Sequence, residues 1–222
     1  MKKTDVLIQQ FRDFITDERF PCVGAKAALS KGKMHVIVAR HLDSNWDDRR
    51  IYSGLEDIVA SYRKDRSLFQ SFAVIFEGPH GIDEEEFEQL LWSRAESLTN
   101  KDVWSGRPKD KRVSSDPDDP HFSLSFNGEA FFIVGLHPNA SRPARRFRRP
   151  AMVFNLHDQF EQLRALGKYE KMKEKIIERD VALAGDANPM LAMHGTISEA
   201  RQYSGRVVDS EWKCPFNPVA RP

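Results

Sequence analysis

Apolar side chains recur along this chain at the spacing of helices in some segments and of strands in others. Helical spacing, with an apolar residue every three or four positions, occurs in residues 4–17, 51–64 and 87–98. Short apolar runs rich in β-branched and aromatic side chains occur in residues 35–39, 69–76 and 152–156. Helical spacing returns from Asp158 to about Ala184, with Gly167 as a possible break. The pattern predicts helices in residues 4–17, 51–64, 87–98 and from Asp158 to about Ala184. It predicts buried strands in residues 35–39, 69–76 and 152–156.

The clearest local signal is a hairpin. Asn127-Gly128 suits the positive φ angles of a tight turn, and it separates the apolar runs 122–126 and 130–136. A polar loop at 100–120 precedes it, and the last 35 or so residues look irregular. We therefore predict an α+β fold with a largely antiparallel sheet packed with helices, as a single domain over residues 1–222.

Composition narrows the functional classes. The chain has 222 residues, of which 40% are hydrophobic and 30% charged, with a net charge of +1. This is globular composition without the bulk charge that draws a protein to nucleic acid or to a membrane. The N-terminus has neither the pattern of a signal peptide nor that of a membrane span, so we expect a cytoplasmic protein.

Candidate chemistry begins in an arginine-rich loop, residues 141–150. Its arginines are Arg142, Arg145, Arg146, Arg148 and Arg149. Crowding them is costly unless acidic groups face them. They can pair with the protein's own carboxylates, hold carboxylates or phosphates of a ligand, or contact nucleic acid, which near-neutral charge makes the weakest reading.

Two histidines stand out among seven because each ends a predicted strand, where a side chain is rigidly held and can reach a cleft. They are His137 and His157. Cys22 and Cys214, two thiols almost at opposite ends of the chain, do not make a disulfide framework. Each is either a buried small side chain or a thiolate that acts as a ligand or nucleophile. The chain lacks the sequence patterns of a phosphate-binding loop, a dinucleotide fingerprint or a zinc-protease helix.

An acidic loop at 114–121 carries Asp116, Asp118 and Asp119 and ends in His121. It is either a solvated, turn-rich segment or a set of carboxylates for a cationic substrate.

Several blocks together resemble the YqcI/YcgG family of haem-dependent N-hydroxylases. They are FPCVGAKAAL at 20–29, EFEQLLW at 86–92, the long block at 114–150, VFNLHDQFEQLR at 153–164, ERD at 178–180, NPML at 188–191, SEARQYSG at 198–205 and WKCPF at 212–216. The resemblance covers about nine tenths of the chain, and the block at 114–150 is specific.

The resemblance implies a haem protein that hydroxylates a guanidine-type nitrogen of a small, amino-acid-like substrate. Haem needs an axial ligand, apolar walls and cations for its propionates. His137, slightly favoured, or His157 is the expected ligand, and Arg142, Arg145, Arg146 and Arg148 are the expected cations. Asp116, Asp119, His121 and Glu129 are the expected substrate and catalytic groups.

Since no flavin or nicotinamide site is visible, electrons are expected from an external donor, and assembly as a homodimer is left open. The alternatives are a non-haem iron oxygenase, a non-catalytic haem-binding protein and a nucleic-acid-binding module.

Overall fold

A computed structural model describes residues 2–186, 188 and 196–219. His194 and most of the NPML block lie outside the described residues. The helices of eight or more residues are α1 (Lys3–Thr16), α2 (Val23–Ser30), α3 (Asp48–Lys64), α4 (Glu84–Trp104), α5 (Asp158–Ala165) and α6 (Tyr169–Ala184), and α7 (Ala200–Tyr203) is a single turn. The strands are β1 (Met34–His41), β2 (Ser71–Gly78), β3 (Leu124–Phe126), β4 (Glu129–Leu136) and β5 (Ala151–Leu156).

The five strands form one sheet in the order β1-β2-β5-β4-β3. β1 and β2 are parallel, since α3 carries the chain back across the sheet between them, and the other three pairings are antiparallel. The predicted α+β class and largely antiparallel sheet are thus confirmed, with one parallel pair that the sequence did not indicate.

Each face of the sheet has its own apolar core. On one face α3, α4 and α7 pack over the side chains of residues such as Phe72, Phe131 and Phe154. On the other face α1 and α2 pack over Ala73, Ile75 and Val153. β2 lies between β1 and β5 and is buried along nearly its whole length. This explains why its sequence reads as a continuous apolar run rather than as an alternation.

The predicted hairpin turn is confirmed, with Asn127 at φ 49° and Gly128 at φ 79°. The predicted start of α4 is confirmed as well, because Asp83 caps the backbone N–H groups of Glu85 and Glu86 while the Glu86 carboxylate accepts from the N–H of Asp83.

The structure differs from the prediction at the end of α4 and in the presence of α2. α4 runs on to Trp104, because Asp102 is buried and accepts hydrogen bonds from the Tyr52 hydroxyl and the Asn127 N–H. α2 was not predicted; its eight residues begin after Cys22, whose sulfur accepts from the Ala25 N–H at 3.4 Å.

One glycine brings α7 onto the sheet. A Cβ at Gly135 in β4 would lie 2.6 Å from Leu91 and 2.8 Å from the Tyr203 carbonyl oxygen. Only a residue without a side chain lets the chain approach so closely at this point.

Within the described part of the chain, no helix combines the length and the apolar character that a membrane span requires.

Candidate functional site

A cavity of about 330 Å³ lies beside the sheet face that α1 and α2 cover. Phe132 and Val134 of β4 and Val153 and Asn155 of β5 form its floor. α1, α2, α5 and α6 all contribute to its walls, and the arginine-rich loop closes part of one side. Its volume falls within the range of small-molecule sites, roughly 300–1,000 Å³.

The lining is mainly apolar. α6 turns Met172, Ile176 and Ile177 towards the cavity, and Phe11 and Ile15 of α1 lie on its wall. The apolar stripe that the sequence indicates on α6 therefore faces the cavity. Such a lining suits an apolar ligand, and the polar groups that interrupt the lining would fix the orientation of that ligand.

One of these polar groups is Glu199, whose largely buried side chain lies just before α7. Its Oε1 atom accepts hydrogen bonds from the Ser123 hydroxyl and the Tyr203 hydroxyl, both at 2.7 Å. Its Oε2 atom lies 3.8 Å from Nε2 of His157. Burial raises the pKa of the Glu199 carboxyl to about 7, and the two hydroxyl donors oppose that rise.

His157 follows the last residue of β5 and precedes α5, as the sequence suggested. Its N–H donates to the Ala130 carbonyl at 2.8 Å, and its carbonyl accepts from the Phe160 N–H at 2.9 Å. The side chain is only 13% exposed and lines the cavity. The imidazole of His157 therefore lies on the cavity wall, and backbone hydrogen bonds hold its main chain in place.

Arg142 lines the same cavity and ties α6 to the arginine-rich loop. Its buried guanidinium pairs with Asp180 of α6 and, at 2.5 Å, with Asp186. Asp180 is buried too and lies on the cavity wall. The first reading of the arginine loop, pairing with the protein's own carboxylates, holds for this residue.

Arg145 also lines the cavity, but it binds backbone carbonyls. It donates to the carbonyl oxygens of Gly135, Gln202 and Tyr203 at 2.9–3.3 Å. Burial lowers the pKa of its guanidinium to about 10, a value at which it stays charged at neutral pH. Cys22 lies on the same wall, and burial raises the pKa of its thiol.

The other predicted propionate partners lie off the cavity wall. Arg146 donates to the Ala140 and Ser141 carbonyls, both at 2.6 Å, and Arg148 is exposed. Neither belongs to the lining residues.

His137 is placed away from the cavity. Its ring is buried and stacks on Phe87 with centroids 4.4 Å apart, and its Nδ1 atom has no hydrogen-bond partner. Burial lowers the pKa of the imidazole to about 4. The histidine that the sequence slightly favoured as a ligand is thus packed in the core beneath α4.

The predicted catalytic acids are not brought together. Asp116 is exposed, and Asp119 pairs with the exposed His121 at 3.3 Å. Pro120, between that pair, does reach the cavity wall. Glu129 is buried at the start of β4 and is not among the residues that line the cavity.

Glu129 forms ion pairs with Arg63 at 3.3 Å and Arg112 at 3.0 Å. Arg112 also pairs with Asp110 and Asp158, both at 2.7 Å. This network joins α3, the loop before β3 and the start of α5, so its geometry is that of a structural anchor.

Within residues 2–186, 188 and 196–219, no three His, Cys, Asp or Glu side chains cluster as ligands for a metal ion. A non-haem site of two histidines and a carboxylate therefore finds no set of ligands in this part of the chain. Among the described residues, a group that needs one protein ligand has several donors on the cavity wall: the His157 imidazole, the Cys22 thiol, the Tyr169 hydroxyl and the thioethers of Met34 and Met172.

Sequence reasoning missed Glu199, Tyr203 and Ser123 as functional residues. Glu199 and Tyr203 are four positions apart in the SEARQYSG block, a spacing that places them on one side of a helical turn. Ser123 comes from the start of the hairpin, 76 residues earlier. The packing of α7 against β4 brings the side chains of Glu199 and Tyr203 next to Ser123.

Comparison with known proteins gives a family and one distant relative. The model of the YqcI/YcgG family matches residues 11–217. A protein of Bacillus subtilis (strain 168), described as "Uncharacterized protein YqcI", is 22% identical over 210 residues, which cover 90% of this chain and 81% of that protein. No solved structure matches the chain.

Proposed function

This chain belongs to the YqcI/YcgG family, and we propose that it is a haem-dependent N-hydroxylase whose porphyrin occupies the cavity beside the sheet. The observation that carries the proposal is one apolar cavity with His157, Arg142 and Arg145 on its wall. The reaction class comes from the resemblance of the sequence blocks of this chain to haem-dependent N-hydroxylases.

The residues present fit a haem on three counts. The floor and α6 offer apolar surface for the macrocycle. Arg145, whose guanidinium binds three backbone carbonyls, offers its charge to one propionate. Arg142 is already paired with Asp180 and Asp186, so it would bind the other propionate by exchanging the exposed Asp186 for it. Among the described residues, His157 is the one imidazole on the cavity wall, whereas His137 lies under α4 and the half-buried Cys22 thiol would first have to lose a proton whose pKa burial has raised.

Haem would supply oxygen activation: one atom of O₂ enters an N–H bond of a guanidine, and the other leaves as water with two electrons and two protons from an external reductant. Peroxide can replace O₂ and the reductant. The protein's share is to bind the ring, exclude water and hold the substrate nitrogen. The substrate class and the cytoplasmic location stay predictions.

Absorption spectra of the protein titrated with haem test this proposal. We expect a Soret band for the wild type and for His137→Ala, and loss or displacement of that band for His157→Ala. His121→Ala, which changes an exposed histidine, is the matched control. A band that survives His157→Ala but disappears in Cys22→Ala would move the ligand to the thiol.

Turnover is tested separately. The loaded protein is supplied with small guanidines and a chemical reductant, and products are examined by mass spectrometry for the gain of one oxygen atom. Haem binding without any oxygenated product would favour the non-catalytic haem protein. Absence of a Soret band at saturating haem would overturn the proposal.

A further inference from the structure

Glu199 is held with one carboxylate oxygen fixed and the other directed at His157. Ser123 and Tyr203 each bring a hydroxyl to 2.7 Å from Oε1, closer than their distances to the Phe131 carbonyl, which are 3.0 and 3.2 Å. A hydroxyl has a single proton to donate, and the shorter contacts are those expected with a charged acceptor. The Oε1 atom therefore receives both protons.

The Oε2 atom has a different neighbour. It lies 3.8 Å from His157 Nε2, about 0.6 Å beyond the upper limit of an N–H···O hydrogen bond. Both side chains are 13% exposed, so water competes little for this contact. A small rotation of either side chain would close the gap.

We infer that Glu199 is the positioning residue for His157: it accepts the Nε2 proton and thereby fixes the tautomer and the orientation of the ring in the cavity. This inference rests on the proposed function, in which His157 binds the haem iron. Ligand histidines almost always donate their second ring nitrogen to a carboxylate, a carbonyl or water, and such a partner makes the ligand more basic. Glu199 touches neither substrate nor iron in this role.

The sharpest test is Glu199→Gln, because the Oε1 pocket dictates how the amide must lie. Ser123 and Tyr203 both donate, so the amide oxygen takes the Oε1 position and the NH₂ group faces His157. A donor opposite Nε2 favours the tautomer with its proton on Nδ1. The substitution therefore should switch the tautomer of His157.

The readout is ¹⁵N NMR of histidine-labelled protein without haem, at about pH 8, where an ordinary imidazole is neutral. The His157 signal is assigned by its loss in His157→Gln. We expect the Nε2–H tautomer in the wild type and the Nδ1–H tautomer in Glu199→Gln. Glu161→Gln, an exposed glutamate of α5 paired with Arg164, is the matched control and should leave the signal unchanged.

Two further variants keep the Glu199 carboxylate but hold its position less firmly. Ser123→Ala and Tyr203→Phe each remove one donor to Oε1, and we expect a mixture of tautomers in both. Two results would overturn the inference whatever the haem experiments show. One is a wild-type protein in which His157 carries its proton on Nδ1, and the other is a Glu199→Gln spectrum identical to that of the wild type.

Haem binding gives a second, independent readout. We expect Glu199→Gln to bind haem about 10- to 100-fold more weakly than the wild type, as for other partners of ligand histidines. If the wild type binds no haem, the proposed function fails while the tautomer still tests the pairing. If the wild type and Glu199→Gln bind haem equally and the tautomer is unchanged, the function stands and this inference falls.

Discussion

His137 has a neutral, buried ring that lies on Phe87 of α4. The folded pKa of about 4 is below the ordinary value of 6.5, so between these two values the unfolded chain binds more protons than the folded one. The free energy of unfolding therefore falls as the pH is lowered through this window. From pH 7 to pH 5 the loss from this residue is roughly 2 kcal/mol.

Urea unfolding of the wild type and of His137→Gln at both pH values measures this loss. We expect the variant to be less stable at pH 7, since it loses the stacked ring, but to lose about 2 kcal/mol less than the wild type on acidification. His121→Gln, on the exposed loop, should keep the wild-type slope. Equal slopes for His137→Gln and the wild type would mean that the ring takes up its proton over the same pH range in the folded protein as in the unfolded chain.

At the scale of elements, α6 forms a wall of the cavity and contacts α2, α5 and the arginine-rich loop. The buried pair of Arg142 and Asp180 is its polar tie to that loop. Removal of Asp180 leaves the buried Arg142 guanidinium paired, among the described residues, with the more exposed Asp186. We therefore expect the Arg142–Asp180 ion pair to control how often α6 detaches from the rest of the fold.

We expect Asp180→Ala to lower the free energy of unfolding by about 3 kcal/mol, as for other broken buried ion pairs. Amide hydrogen exchange should quicken most in α6 and least in α3 and β2. Glu174→Ala, exposed on the same helix, is the control and should change the free energy of unfolding by less than about 0.5 kcal/mol. Uniform acceleration of exchange in all elements would show that α6 opens only with the whole fold.

Most of the elements could be predicted because their signals are local. The hairpin rests on Asn127-Gly128 and the start of α4 on Asp83 and Glu86, and each signal lies within a few residues of the structure that it specifies. α2 was missed because it is only eight residues long and carries no apolar stripe between Val23 and Ser30.

The site was only partly predictable. His157, Arg142 and Arg145 could be singled out by strand ends and by crowded charge, and the structure brings these three to one cavity. Glu199 could not, because two of its three neighbours, Ser123 and His157, come from segments more than 40 residues away. The same limit explains why Glu129 was named: the sequence displays a carboxylate but not the two arginines that neutralise it.

For the whole molecule, the two faces of the sheet differ in how completely they are packed. Ile133 and Val134 are adjacent in β4 and point to opposite faces: Ile133 is fully buried in the core beneath α4, and Val134 lines the cavity. A larger side chain therefore meets packed atoms at one position and space at the next.

We expect Val134→Trp to keep or raise the melting temperature of the haem-free protein and to abolish the Soret band, because the indole occupies the cavity. Ile133→Trp is the matched control, and overpacking there should cost about 1–3 kcal/mol. Thermal unfolding and haem titration of both variants measure these effects. Full haem binding by a stable Val134→Trp would place the porphyrin elsewhere.

The cavity also bears on how long the protein lasts in a cell. If it binds its ligand as we propose, a ligand concentration 100 times the Kd stabilises the fold by about 2.7 kcal/mol. Proteases attack the opened chain in proportion to its population when opening is fast. Loaded molecules would then outlive empty ones by roughly a hundredfold, so that the abundance of this protein tracks the supply of its ligand.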